Sequence, residues 1–301
     1  MTPGLTTPRE RTRLIAALIP YVRGGYFPEI LEGIAHAVYD HGLRLVLLPT
    51  QHEHAREISL LDWLMQGATD GAVVVLPEET NEELEQALSD RYPFVVADPL
   101  LPLSDRIPTV LGAHRSGAEQ AMRHLLALGH RRIAAITGPP GWLATEDRRA
   151  AYHASLTAAG IQPDPALEVA SDFQVIPAAR ATASLLDLPD PPTAIFAGSD
   201  QQARGVYDEA HARGLRIPDD LSVVGFDNVD VCEWMTPRLT TIHQPLAQMA
   251  VLAVRNVLET AHADGEVPLR LELATSLVVR ESTRAIQALA QPEGSKRRRR
   301  Q

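Results

Sequence analysis

Asp227 and Asn228 stand where the apolar run from Leu221 to Phe226 stops, and Arg148 follows the glycine-rich tip GPPGW at 138–142. Carboxylates, a guanidinium and amides in such places hold hydroxyl groups by charge-assisted hydrogen bonds, while aromatic rings stack on flat or sugar-like faces. Both kinds recur at the ends of apolar runs: Tyr21, Arg23, Tyr26 and Phe27, Asp98, Asp172 and Phe173, Ser199 and Asp200. Each has a plainer reading. Asp227 after a strand could cap the next helix, and for Asp200, directly before a helical stretch, the cap is the stronger reading. Phe27 ahead of Pro28 could be a hydrophobic staple. Arg148 beside Glu146 and Asp147 could belong to a surface ion-pair network.

Catalytic signatures are missing from this set. No G-x-G-x-x-G follows the first strand, no phosphate-binding G-x-x-x-x-G-K-[ST] occurs, and no G-x-S-x-G elbow is present. The pair in HEH at 52–54 points to different faces of a helix and makes a poor metal site. Cys232, the single cysteine, rules out disulfides within the chain and cysteine-based zinc sites. No cofactor and no metal is expected, and the chain reads as a binder rather than an enzyme.

The elements that must position these residues repeat one plan. An apolar strand, a polar tip and an amphipathic helix ending near glycine recur along the chain. The strands read as Leu14–Ile19, Leu43–Leu48, Ala72–Leu76 and Phe94–Ala97, then Ile133–Thr137, Leu167–Ser171, Thr193–Ala197, Leu221–Phe226, Leu239–His243 and Leu271–Val279. Helices are read at Glu29–Tyr39, Ala55–Gln66, Glu82–Ser89 and Gly117–Leu128, after a Pro-rich crossover at 99–108, and at Glu146–Ala159, Ala178–Leu186, Gln201–Arg213 and Leu246–Ala261. Continuous apolar strands between helices predict parallel sheets covered on both faces. The fold class is α/β, with two doubly wound lobes, and ligands of such sheets sit beyond the carboxyl ends of the strands.

Of 301 residues, 45% are hydrophobic, enough for two cores, and the formal net charge is -10 despite the basic run KRRRR at 296–300. An acidic body is a poor partner for phosphate backbones, and the basic run reads as a solvated tail. No apolar run approaches a membrane span. The opening RERTRLIAALIPYV lacks a cleavage site, so it reads as the first strand of a cytoplasmic protein.

Four segments resemble the effector-binding core of the lactose/galactose-repressor family of bacterial transcription regulators: LLALGHRRIAAITGP (125–139), DRRAAYHASLTAAGI (147–161), PTAIFAGSDQQARGVYDEAHARGLRIPDDLSVVGFDN (192–228) and PRLTTIHQPLAQMA (237–250). The likeness covers about residues 12–284. It implies a periplasmic-binding-protein-like fold of two lobes joined by three crossovers, with a small effector, sugar or nucleobase-like, in the cleft. Lobe one would span 12–128 plus 244–268 and lobe two 129–243 plus 269–285, with tails at 1–11 and 286–301. The resemblance further implies that Arg148 holds effector hydroxyls opposite Asp227, with Phe173 covering the ligand. Tyr26 and Phe27 would line the first-lobe side, Ser199 and Asp200 stand in place of an Asn-Asp pair, and Gln244 would be the hinge glutamine. Ala113 and His114 depart from the usual Asp-Asn, so one polyol contact is expected to be missing. A homodimer with allosteric control of operator DNA follows from the same likeness. Contact with DNA would run through an N-terminal helix-turn-helix that MTPGLTTPRERTRL does not supply. A transporter's solute-binding protein and a sugar-modifying α/β enzyme are the alternative readings.

Overall fold

A computed structural model describes residues 11–262 and 270–286. The first sheet is entered by β1 (Leu14–Ile19), followed by α1 (Tyr26–Asp40), β2 (Arg44–Pro49), α2 (His54–Trp63), β3 (Gly71–Val75), α3 (Asn81–Ser89), β4 (Phe94–Ala97) and β5 (Thr109–Gly112). Then come α4 (His114–Ala127), β6 (Ile133–Thr137), α5 (Leu143–Ala158), β7 (Glu168–Ala170), α6 (Val175–Leu186), β8 (Ala194–Ala197) and α7 (Asp200–Ala212). The chain ends with β9 (Ser222–Asp227), α8 (Val231–Trp234), β10 (Thr240–His243), α9 (Leu246–His262), β11 (Arg270–Leu273) and β12 (Ser276–Val278).

Two six-stranded sheets result, ordered β11-β5-β4-β3-β1-β2 and β12-β10-β9-β8-β6-β7. All pairings are parallel except β10 with β12. This is the expected pair of doubly wound lobes. Their strands are apolar throughout because helices cover both faces. On the first sheet, Ile30 and Ile34 of α1 pack with Met249, Ala253 and Val257 of α9 on one face, while Leu61, Leu84 and Phe94 fill the other. On the second, α6 and α7 cover one face and α4 and α5 the other. Each fully buried Ile or Leu contributes about 2 kcal/mol of removed apolar surface.

The boundaries between the lobes differ from those expected. The helix expected at Gly117–Leu128 within lobe one is α4, yet its Ala118, Ala121, Met122 and Leu125 bury against Phe226 and Ile242 of the second sheet. The first crossover therefore lies between Gly112 and His114. The boundary at 128/129 came from the resemblance, and helical spacing could not correct it, since it identifies a buried face but not the sheet that face meets. The run read as one strand, Leu271–Val279, is split: β11 pairs with β5 in the first sheet and β12 with β10 in the second. The third crossover is thus at 274–275, and residues 270–273 belong to lobe one. Residues 99–108 stay inside lobe one, where they join β4 to its neighbour β5, a strand the sequence reading did not place. The expected tails and the basic run at 296–300 lie, apart from residues 11 and 286, outside the described residues.

Candidate functional site

The carboxyl ends of both sheets face one another across a cavity of about 230 Å³. Chain geometry at those ends explains why polar groups gather there. Leu76 and Asp98, directly after β3 and β4, and Asp227 and Asn228, at and just past the end of β9, adopt positive-φ backbone conformations, with φ of 50°, 55°, 114° and 62°. Such turns are costly for non-glycine residues and swing the chain sharply out of its strand. At Asp98 and Asp227 they deliver a carboxylate into the gap between the lobes.

Six of the eight residues singled out from sequence line this cavity: Tyr26, Phe27, Arg148, Phe173, Ser199 and Asp227. Tyr26 and Phe27 are the first two residues of α1, so Phe27 lies within the helix and is not a staple preceding it. Arg148 projects from α5 into the cleft and is only 7% exposed, while Glu146 pairs instead with Arg149. The Arg148 guanidinium lies 3.7 Å from the centre of the Phe226 ring and 5.8 Å from that of Phe173. Its Nη1 donates to the Gly198 carbonyl. Asp227 does not cap a helix. Its Oδ1 accepts a 2.9 Å bond from Gln244 Nε2 and lies 3.9 Å from Arg148 Nη2.

Asp200 and Gln244 do not reach the cavity. Ser199, not Asp200, caps α7: its Oγ accepts the Gln202 amide at 3.1 Å. The Asp200 side chain turns inward, accepting from Thr241 Oγ1 at 2.5 Å and from the Val229 amide at 3.0 Å. It ties α7 to β10 and to the turn after β9, because a buried carboxylate is stable only when its oxygens are satisfied. Gln244, fully buried, acts behind the site by orienting Asp227.

Asp98 and His114 carry weight that the sequence reading did not give them. Asp98 Oδ2 accepts from the Tyr26 hydroxyl at 2.7 Å, and its Oδ1 is 2.7 Å from His114 Nε2. His114 Nδ1 is 3.2 Å from Arg148 Nη2. A continuous polar chain thus runs Tyr26–Asp98–His114–Arg148–Asp227–Gln244 and crosses from one lobe to the other. Asp98 was recognisable only as a strand-tip residue, and His114 only as a departure from a family pattern. Nothing in the linear order announces that residues 98, 114 and 148 meet.

Around this floor stands an aromatic wall. Tyr21 meets Phe27 at 6.0 Å, and His52 at 5.4 Å. His52 lies 5.6 Å from Trp142 across the lobes, and Trp142 meets Phe173 at 5.8 Å. The Leu143 amide also donates across the lobes to the Leu100 carbonyl at 2.6 Å. Gln174 and Gln201 add amide groups to the rim.

Burial sets the electrostatics. It pushes the Asp227 carboxyl well above its ordinary value, with Arg148 pulling it only partly back. Asp98 is raised by the same desolvation, yet His114, the Tyr26 hydroxyl and Arg148 together hold it below its ordinary value. Desolvation and the neighbouring Asp98 raise the Tyr26 phenol far upward, which keeps it a hydrogen-bond donor. Two carboxylates of opposite tendency thus flank one arginine. Among the described residues no group of three or more His, Cys, Asp or Glu could hold a metal ion. What the arrangement can do is grip a small molecule, by stacking and by hydrogen bonds.

Residues 122–283 match the family described as periplasmic binding protein-like domain. The chain is 32% identical over 289 residues to the HTH-type transcriptional repressor CytR of Escherichia coli strain K12, covering 94% of this chain and 83% of that protein. Among solved structures, it is similar to the transcriptional regulator CelR in complex with cellobiose, at 30% identity and a TM-score of 0.82 over 92% of this chain and 86% of that one. A LacI family regulator from Enterococcus faecium with bound ribose superposes with the same TM-score at 25% identity, covering 91% of this chain and all of that one.

Proposed function

Since this chain belongs to the lactose/galactose-repressor family of bacterial transcription regulators, we propose that the cavity between its lobes receives a small effector, sugar or nucleobase-like, whose binding regulates transcription. The observation that carries this reading is the buried polar chain from Tyr26 to Gln244, running beneath an aromatic wall at the junction of the lobes. Stacking on Phe27, Trp142 and Phe173 would supply affinity, and Arg148 and Asp227 would supply direction. A ligand that touches both lobes binds their closed arrangement better than an open one, so it shifts the population toward closure. In a homodimer that shift changes how the two first lobes sit relative to each other, and operator affinity changes with it. We read the site as that of a sensor that acts by binding, in the cytoplasm, rather than by catalysis.

Arg148 is the residue to test. Its guanidinium is buried and stacked on Phe226, a role lysine cannot fill. Calorimetric titration with cellobiose, ribose and a panel of sugars and nucleosides should find at least one that binds. Arg148→Ala and Arg148→Lys should then weaken it by about tenfold, the loss of one charge-assisted hydrogen bond. Unchanged affinity in Arg148→Ala would remove the arginine from the site.

A further inference from the structure

Almost every polar atom on the floor of the cleft is already taken. The Arg148 guanidinium can only donate, so the His114 Nδ1 that faces its Nη2 must be the accepting nitrogen. The ring hydrogen then resides on Nε2 and is donated to Asp98 Oδ1 at 2.7 Å. Asp98 has its other oxygen engaged by the Tyr26 hydroxyl. Arg148 is engaged by the Gly198 carbonyl, by His114 and by Asp227. His114 itself is 1% exposed and lies 6.2 Å from the Phe226 ring, so it is locked in place.

A carboxylate and an arginine that both look into a cleft make a ready-made clamp for a hydroxyl, one accepting and one donating. Here the His114 ring occupies that clamp from within the protein. Arg148 Nε is buried without a hydrogen-bond partner, and polar residues that line the cavity outside this chain include Arg23, Gln174 and Gln201.

We infer that His114 is a specificity-determining residue: by holding one oxygen of Asp98 and one terminal nitrogen of Arg148, it withholds both from the ligand and selects effectors that lack a hydroxyl at that point. This rests on the cavity being the effector site. Position 114 opens α4 immediately after the first crossover, so the same side chain reaches both lobes and its effect does not depend on the rim loops.

The test is the ratio of dissociation constants for matched pairs that differ by one hydroxyl: D-ribose with 2-deoxy-D-ribose, D-glucose with 2-deoxy-D-glucose, and adenosine with 2′-deoxyadenosine. For the pair whose hydroxyl points at the clamp, His114→Ala should shift the ratio about tenfold toward the hydroxylated member, one hydrogen bond's worth. His114→Gln should retain the wild-type ratio, because its amide can donate to Asp98 and accept from Arg148 at once. A ratio unmoved in folded His114→Ala for every pair that binds overturns the inference, and so does a His114→Gln that shifts it as far as alanine. If His114→Ala does not fold, Tyr26→Phe frees the other Asp98 oxygen and must move the ratio in the same direction. Failure of every probe to bind the wild-type protein instead overturns the effector-site reading, and this inference with it.

Discussion

At the scale of single residues, Asp200 and Asp227 show how the same side chain serves two ends 27 positions apart. Both are buried acids after an apolar strand. Asp227 ends its strand with a positive φ and meets Arg148, whereas Asp200 opens a helix and points into the second lobe. Burial raises the Asp200 carboxyl to about 6, and the hydrogen bonds from Thr241 and the Val229 amide restrain that rise. Asp200→Ala leaves the Thr241 hydroxyl and the Val229 amide unsatisfied in the core. It should cost about 2 kcal/mol of stability in urea unfolding, while effector affinity in the remaining folded protein changes by less than threefold. An equal loss of affinity and stability would return Asp200 to the binding site.

Packed elements decide where the site residues stand. α1, which carries Tyr26 and Phe27, lies against α9 with Gly33 at the point of closest approach. A Cβ built there would come 2.7 Å from the Ala250 Cβ and 2.9 Å from the Ala247 Cα. Both atoms belong to a helix whose residues Met249, Ala253 and Val254 are fully buried, so it cannot give way. Gly33→Ala should therefore destabilise the protein by about 2 kcal/mol through overpacking. It should also tilt α1 and weaken effector binding without altering any contact residue. Differential scanning calorimetry with parallel ligand titration reads both effects, and an unchanged melting temperature would mean that α1 and α9 separate readily. On the opposite face α3 is set by its capping box. The Thr80 hydroxyl accepts the Glu83 amide, and the Glu83 carboxylate accepts the Thr80 amide at 2.8 Å.

For the molecule as a whole, the contacts between lobes include repulsion as well as attraction. Glu29 of α1 faces Asp230 of the second lobe, and burial first, then Asp230 and Asp200, push its carboxyl up to about 7. Within lobe one, burial and the adjacent Glu57 push Glu79 up to about 9. A carboxyl raised in the folded state holds its proton more tightly there than in the unfolded chain. The stability it contributes is complete below its ordinary value near 4.5 and is lost as pH rises through the folded value. Glu29 places that loss between about 4.5 and 7, and Glu79 extends it to about 9. Urea midpoints should fall from pH 5.5 to pH 9. Glu29→Gln should flatten the lower part of this fall and Glu79→Gln the upper part. A profile that rises over that window would contradict both assignments.

The fold class and the alternation of strand and helix were legible in the sequence, and six of the eight residues singled out there line the cavity. Apolar runs, glycine stops and strand-tip residues are local signals, each written within a few neighbouring positions. The resemblance of short runs such as IPDDLSVVGFDN and DRRAAYHASLTAAGI pointed to Arg148 and Asp227, both of which line the cavity. What the tertiary structure alone decided is which elements meet. It assigned α4 to the second sheet, split residues 270–278 between two sheets, and turned Asp200 and Gln244 away from the cavity. It joined Asp98, His114 and Arg148 into one chain across the lobes. Those outcomes depend on contacts between residues far apart in the chain. The energy of such a contact is fixed by both partners at once, so neither one's local sequence can carry it.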